Sequence, residues 1–122
     1  MHLEKIRAWL KLEELSSEEI LAALFELTET EAQAYFMLLR KPMSVQYLCT
    51  KTRKDRTTAQ RVLQKLVSHG LAHRIVEKKR GGGINYIYKP IQLLDLKDKM
   101  LGMVDSWSAF IKEKIKEIGV HR

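Results

Sequence analysis

The chain has 122 residues, of which 45% are hydrophobic and 30% charged, a composition typical of one compact globular domain and not of a disordered or fibrous protein. Its 22 lysines and arginines outnumber 15 acidic residues, for a formal net charge of +7, which points to polyanionic partners. The single cysteine, Cys49, excludes an intramolecular disulfide and a cysteine-based zinc site. Without a long apolar run or a signal peptide, the sequence predicts an intracellular, soluble and cytoplasmic protein.

The positive charge is concentrated in the centre of the sequence. Residues 40–89 hold thirteen lysines and arginines against two carboxylates, a net charge of +11, whereas the rest of the chain has nine basic and thirteen acidic residues, a net charge of −4. Such a cationic region is typical of a nucleic-acid footprint, in contrast to the mixed charges of an ordinary solvated surface.

Three helices are predicted in the first forty residues. Residues 3–15 carry apolar side chains at helical spacing. The next two helices begin with capping boxes, Ser16 with Glu19 and Thr28 with Glu31, in which the hydroxyl and the carboxylate satisfy each other's backbone N–H groups. The second helix is expected to continue to about Leu27. The third is expected to end before the proline at position 42, because proline disfavours the α conformation in the preceding residue.

After residue 42 the predicted elements shorten. Ser44 caps a brief helix that continues to about Lys51, a polar turn follows, and Asp55 caps the next helix, which ends at Gly70. At 100° per residue the apolar side chains of this next helix share one face; they are Ala59, Val62, Leu63 and Leu66. The opposite face carries residue types that read base edges; they are Thr57, Gln60, Arg61 and Gln64.

Two strand-like runs follow, Ala72–Lys78 and Ile84–Lys89, and both are rich in isoleucine, valine and tyrosine. Three consecutive glycines lie between them, which predicts a hairpin because glycine adopts the positive φ angles of a tight tip. The cations Lys78, Lys79 and Arg80 precede the glycines. The hairpin is therefore predicted to be a flexible basic finger.

The last thirty residues are predicted to form one long helix. Its apolar stripe has side chains at intervals of three or four residues: Leu93, Leu96, Met100, Val104, Trp107, Ile111, Ile115 and Ile118. Such a helix spans about 40 Å at ~1.5 Å per residue, longer than a small core can cover, so we expect a second copy of the chain to cover the stripe. A ligand pocket at Met100, Met103 and Trp107 is an alternative. Membrane attachment is another, which the mixed charges of the polar face disfavour.

The order helix, short helix, turn, helix and basic hairpin is that of a winged helix-turn-helix. We therefore expect a mainly α fold with a small β-hairpin. The expected divisions are N-terminal helices over residues 1–27, a DNA-binding winged helix-turn-helix over residues 28–90, and a C-terminal dimerisation helix over residues 91–122.

Two segments also resemble a known family. Residues 27–35, Leu-Thr-Glu-Thr-Glu-Ala-Gln-Ala-Tyr, are similar to the opening of archaeal TrmB-like transcriptional regulators, relatives of the MarR group, and residues 55–71 are similar to their recognition helix. The resemblance covers roughly residues 27–90 and implies a DNA-binding dimer that acts on transcription. TrmB itself carries a large sugar-binding domain, which this chain is expected to be too short to hold, so sugar sensing is not carried over.

In this interpretation Arg61 contacts guanine through two hydrogen bonds, and Gln60 or Gln64 pairs with adenine. The turn cations contact phosphates, Arg80 enters a minor groove, and two symmetric copies read an inverted repeat in double-stranded DNA. The candidate DNA-binding residues are Lys51, Arg53, Lys54, Arg56, Thr57, Thr58, Gln60, Arg61, Gln64, Lys65, Lys78, Lys79 and Arg80.

Two other functions compete with this one: a winged-helix interaction module of the transcription machinery, and a non-specific nucleic-acid-binding protein. The polar recognition face favours the regulator, because an interaction module more often presents apolar anchors. We expect no enzymatic activity, metal or cofactor, since no nucleophile–base pair is evident and His69 and His73 are separated by a helix end. Cys49 is interpreted as a packing residue, with a redox switch as the alternative. Activation or repression, and a parallel or antiparallel dimer, stay open.

Overall fold

The computed structural model describes residues 14–120, which form five helices and one antiparallel hairpin. In chain order the elements are α1 Ser17–Phe25, α2 Glu29–Arg40, α3 Val45–Thr52, α4 Arg56–Ser68, β1 Ala72–Lys78, β2 Ile84–Pro90 and α5 Leu93–Lys116. The chain divides into two compact units between Gln92 and Leu93. The predicted mainly α fold with one small hairpin and a long C-terminal helix is confirmed, whereas the helix predicted over residues 3–15 lies almost entirely outside the described residues.

Both predicted capping boxes are present. The Glu19 N–H donates to Ser16 Oγ over 3.1 Å and the Ser16 N–H donates to the Glu19 carboxylate over 3.0 Å; the corresponding distances for Thr28 and Glu31 are 3.2 and 2.8 Å. Each box satisfies two N–H groups that the first helical turn leaves without partners. The prediction that the first of these helices continues to about residue 27 was wrong, because Glu26 adopts a left-handed conformation with φ of 56° and ends α1 at Phe25.

The helix-turn-helix is formed by α3 and α4, and its boundaries follow local signals. Ser44 Oγ accepts from the N–H of Tyr47 over 3.1 Å, and Asp55 Oδ1 accepts from the N–H of Thr58 over 2.7 Å. Between the helices Arg53 has a left-handed φ of 57°, which reverses the chain within a short turn. At the other end of α4, Gly70 is the predicted left-handed residue, with φ of 73°.

The core of the first unit surrounds α2, which contacts α1, α4 and β2. Tyr35 and Leu38 of α2 are fully buried together with Leu63 and Leu66 of α4. The Tyr35 hydroxyl donates to the Ile91 carbonyl over 2.9 Å, so this large buried side chain satisfies its polar group. Burial of each leucine contributes about 1.5–3 kcal/mol, and this packing holds α4 in place with its polar face outward.

The hairpin joins the core through its first half. Arg74 pairs with Tyr88 and Val76 with Tyr86, so these four side chains share one face of the two-stranded sheet. Tyr88 is buried, and its backbone N–H and carbonyl bridge to Met43 over 2.8 and 3.1 Å. The predicted glycine tip is confirmed, since all three glycines have φ between 81° and 106°, and β2 extends one residue beyond its predicted end.

The second unit contains α5. The helix ends at Lys116, so Ile118, the last residue of the predicted apolar stripe, lies in the turn beyond it and is 77% exposed. Leu96 is buried, whereas Trp107 is 37% and Phe110 57% exposed. None of the helices described in residues 14–120 is long and apolar enough to cross a membrane.

Candidate nucleic-acid interface

The polar face of α4 is exposed, and the opposite, apolar face of the helix is buried in the core. Its four predicted apolar residues are all buried, which confirms the amphipathic pattern; they are Ala59, Val62, Leu63 and Leu66. The predicted recognition residues all lie on the exposed side, namely Thr57, Gln60, Arg61 and Gln64. Hydrogen-bonding groups are thus presented on a rigid helix, the arrangement that direct readout of a groove requires.

Two candidates are less free than the others. Lys65 is half-buried, and its Nζ lies 3.9 Å from the carboxylate of Glu31, which is itself nearly buried in α2. Thr58 is half-buried in the first turn of α4, where its backbone N–H is occupied by Asp55. Lys65 therefore lies at the flank of α4 against α2, away from the most exposed polar side chains.

The turn between α3 and α4 brings four cations to the start of α4. Lys51, Arg53, Lys54 and Arg56 are all exposed. The Cys49 thiol, which is half-buried, donates to the Lys54 carbonyl over 2.9 Å, so it braces the turn. Arg56 Nη1 donates to Gln46 Oε1 over 3.4 Å, which ties the first residue of α4 to the neighbouring helix.

Asp55 lies between the turn cations Lys54 and Arg56. Its pKa is lowered from the ordinary value of 3.8 because the carboxylate accepts hydrogen bonds from the backbone N–H and then the hydroxyl of Thr58, with a smaller contribution from the charge of Arg61. The group is therefore ionised near neutral pH and serves as the N-cap of α4.

The hairpin cations form a separate cluster. Lys78 ends β1, and Lys79 and Arg80 begin the glycine loop; all three are exposed. Within residues 14–120 the turn cations and the hairpin cations take part in no ion pair with a carboxylate, so their charge is available to an external anion.

The structure adds contacts between cations and aromatic rings that were not among the predictions. Lys41 and Lys51 both lie over the ring of Tyr47, at 4.8 and 5.5 Å from its centroid. The Arg74 guanidinium lies 4.2 Å from the centroid of Tyr86. Tyrosine and lysine four residues apart on a helix indicate the contact between residues 47 and 51, whereas the hairpin contact becomes visible only once the strand register is known.

No group of three or more histidine, cysteine or carboxylate side chains within residues 14–120 is arranged to hold a metal ion.

A helix-turn-helix with an exposed polar second helix, followed by a hairpin with basic residues at its tip, defines a winged-helix protein of the DNA-binding class.

The particular family follows from comparison with known proteins. A sequence model of the family described as "Sugar-specific transcriptional regulator TrmB" matches residues 21–93. The chain therefore belongs to the TrmB family, as its two sequence segments predicted. The family is one of transcriptional regulators, so the coarse function is DNA-binding regulation of transcription and not catalysis.

Two relatives come from Methanocaldococcus jannaschii. The uncharacterized protein MJ1082 is 30% identical over 106 residues, which cover 84% of this chain and 86% of the relative. The uncharacterized protein MJ1503 is 24% identical over 102 residues, which cover 83% of this chain and 77% of the relative.

Two solved structures share the fold. A possible transcriptional regulator from Methanosarcina mazei Go1 superposes with a TM-score of 0.74 at 24% identity, covering 84% of this chain and 88% of that one. The ST1889 protein from the thermoacidophilic archaeon Sulfolobus tokodaii superposes with a TM-score of 0.65 at 21% identity, covering 83% and 98%. The winged-helix architecture is confirmed by these matches.

Proposed function

We propose that the chain is a homodimeric transcriptional regulator that reads an inverted-repeat operator in double-stranded DNA. The observation that carries the proposal is the exposed polar face of α4, which has cations before it in the turn and cations after it in the hairpin. Because the buried face of α4 is packed against the core, the polar face is presented without a folding cost at binding.

In this proposal α4 lies in the major groove. Arg61 donates two hydrogen bonds to guanine, and Gln60 or Gln64 exchanges hydrogen bonds with adenine, the pairings that discriminate bases. Thr57, near the start of the helix, contacts a base or a phosphate. The winged helix-turn-helix over residues 28–90 is the DNA-reading part of the chain.

The remaining cations position the protein without reading sequence. Lys51, Arg53 and Lys54 contact phosphates beside the groove. Lys78 and Lys79 follow the backbone, and Arg80 enters the minor groove at the hairpin tip. Exposure and the lack of described ion pairs support these roles.

Dimerisation is assigned to the C-terminal part, residues 91–122, through α5. Leu93, Met100 and Trp107 are seven residues apart, and Val104 and Ile111 form a second row of the apolar stripe with the same spacing, the pattern of a coiled-coil seam. Trp107 of this stripe is exposed in one copy. A second copy of α5 offers the same apolar row, and a symmetric pair of reading heads matches an inverted repeat.

Selection of bound sites from a random duplex library tests the proposal. We expect a palindromic motif whose half-sites are separated by one helical turn or a multiple of it. The affinity for the selected duplex should fall roughly 10³-fold between about 50 and about 200 mM salt if the dimer neutralises about six phosphates.

Failure to enrich a motif, with binding that is weak and insensitive to salt, would contradict the proposal and favour an interaction module. Strong, salt-dependent binding without a motif would instead favour a non-specific nucleic-acid-binding protein.

A further inference from the structure

We propose that the cleft between α4 and the hairpin holds one phosphodiester group of the DNA backbone, contacted from two sides by Arg56 and Arg74. The inference rests on the proposed function, because it assigns one contact within that complex. The cleft is a cavity of about 190 Å³. Its lining residues are Val45, Arg56, Gln60, Arg74, Asn85, Tyr86 and Tyr88.

The charge of the cleft favours an anion. Arg56 and Gln60 reach it from successive turns of α4, and Arg74 reaches it from β1. No carboxylate is among the lining residues, and neither arginine takes part in an ion pair within residues 14–120. Two uncompensated guanidinium groups around one small cavity match a fully charged phosphate better than the neutral edge of a base.

Arg74 is ordered before any ligand arrives. Its strand partner is Tyr88, and Tyr86 pairs with Val76, so Arg74 and Tyr86 are diagonal neighbours on one face of the hairpin. The guanidinium carbon lies over the Tyr86 ring, 4.2 Å from its centroid, and this cation–π contact restrains the side chain. A side chain held in this way loses less rotamer freedom on binding.

The opposite wall is ordered as well. Arg56 is held by Gln46 of α3 through a hydrogen bond of 3.4 Å. It is the first residue of α4, where the partial positive charge of the helix N-terminus adds to the attraction for an anion. The base of the cleft is Tyr88, which is buried and anchors the hairpin to residue 43. The two arginines thus lie on separate elements, α4 and β1, which pack against each other.

Neutral-phosphate scanning tests the assignment directly. In the duplex selected for the unmodified protein, single phosphates are replaced one at a time by uncharged methylphosphonates. We expect one position in each half-site where the unmodified protein loses roughly tenfold in affinity and Arg74→Ala loses severalfold less, because only Arg56 still contacts that phosphate, while both proteins respond equally at all other positions.

A salt titration provides a second readout. Arg74→Ala should lower the slope of log affinity against log salt by about 0.9 for each bound copy, and it should weaken specific and random duplexes equally, since a phosphate carries no sequence information. A merely structural role for Arg74 predicts an unchanged slope. If Arg74→Ala unfolds, R74Q replaces it, because glutamine keeps most of the side-chain length without the charge.

Three variants of the hairpin serve as controls. Tyr86→Phe keeps the ring and should bind as the unmodified protein does, whereas Tyr86→Leu should weaken binding several-fold with the slope retained. Lys89→Ala removes a cation from the opposite face of the hairpin, since Lys89 pairs with His73, and should leave the position-specific response intact.

The outcomes separate the two proposals. If the unmodified protein binds no duplex, the proposed function fails. If it binds with a steep salt dependence but Arg74→Ala changes neither the scan nor the slope, only the cleft assignment is overturned. If inorganic phosphate alone shifts the Arg74 side-chain NMR signal while the scan finds no coupled position, the cleft is a site for free anions and the assignment to DNA is wrong.

Discussion

Substitution of Arg61 is the most direct test of base recognition, because this residue is exposed in the middle of the polar face of α4. We predict that Arg61→Ala weakens binding to the selected operator by roughly 1–3 kcal/mol and broadens the preference at one base pair of each half-site. Competition binding with single-base operator variants measures both effects. Lys79→Ala is the matched control: it should weaken specific and random duplexes to the same extent. The same uniform loss for Arg61→Ala would assign Arg61 to the phosphates.

Asp55 makes the stability of α4 depend on pH in acid. Its folded pKa lies below 3.8 because of the hydrogen bonds from Thr58, so the carboxylate stabilises the fold above that value. The stabilisation is lost as the pH falls through the lower folded pKa. Asn is an equally good N-cap without a charge. We therefore predict that the excess stability of the unmodified protein over Asp55→Asn is greatest near pH 7 and decreases below about pH 4.

Urea unfolding of both proteins, at a series of pH values between about 7 and about 3, measures this difference. A difference in the free energy of unfolding that stays constant across the series would show that the cap acts through its geometry and not through its charge.

At the scale of elements, glycine conformation gives a prediction with opposite signs at two positions. Gly82, in the hairpin tip, has φ of 106°, whereas Gly102 lies inside α5, and an added Cβ meets no atom within 4 Å at either position. Only backbone conformation distinguishes them. Gly82→Ala should therefore destabilise the fold by about 1–2 kcal/mol, and Gly102→Ala should stabilise it by about 0.5–1 kcal/mol.

Thermal unfolding of the two variants measures both changes. If both substitutions lower the midpoint, the helical glycine has a role that its open surroundings do not indicate. If Gly82→Ala left the unfolding midpoint unchanged, the hairpin tip would adopt another turn conformation at no cost in stability.

The elements themselves were predictable wherever a local signal decides the boundary. Capping boxes, a proline and a C-terminal glycine are satisfied by residues within a few positions, so the bounds of α2 and α4 follow from the sequence alone. The end of α1 was mispredicted because Glu26 takes the left-handed conformation that usually marks glycine. The end of α5 was missed although Gly119, with φ of 82°, follows it closely.

The recognition face was predictable for the same reason, since one helix period separates the buried from the exposed side chains. Contacts between elements were not predictable from the sequence. The approach of Lys65 to Glu31 and the stacking of Arg74 on Tyr86 depend on how helices pack and how strands pair. The sequence carries no local signal for either, so the cleft between α4 and the hairpin became visible only in the structure.

At the scale of the whole molecule, the separation of charge along the chain acquires a physical meaning. The segment of net charge +11 spans α3, α4 and the hairpin, all within the first unit, whereas α5 mixes acidic and basic residues. A basic reading surface and a nearly neutral apolar helix require different partners, which is why we assign DNA to the first unit and a second copy of the chain to the helix.

Dimerisation and DNA affinity should therefore fail together when the seam of α5 is broken. Ile111 lies on the apolar stripe and is half-buried, whereas Leu101 lies off the stripe and is exposed. We predict that Ile111→Asp sediments as a monomer at micromolar concentration and that Leu101→Asp stays dimeric. The affinity of a dimer that binds two half-sites exceeds the affinity of one subunit for one half-site by at least tenfold. Ile111→Asp should therefore lose at least that factor in affinity for the inverted repeat and almost none for an isolated half-site. An unmodified protein that already sediments as a monomer would refute the dimer, and dissociation by Leu101→Asp alone would move the seam to the other face of α5.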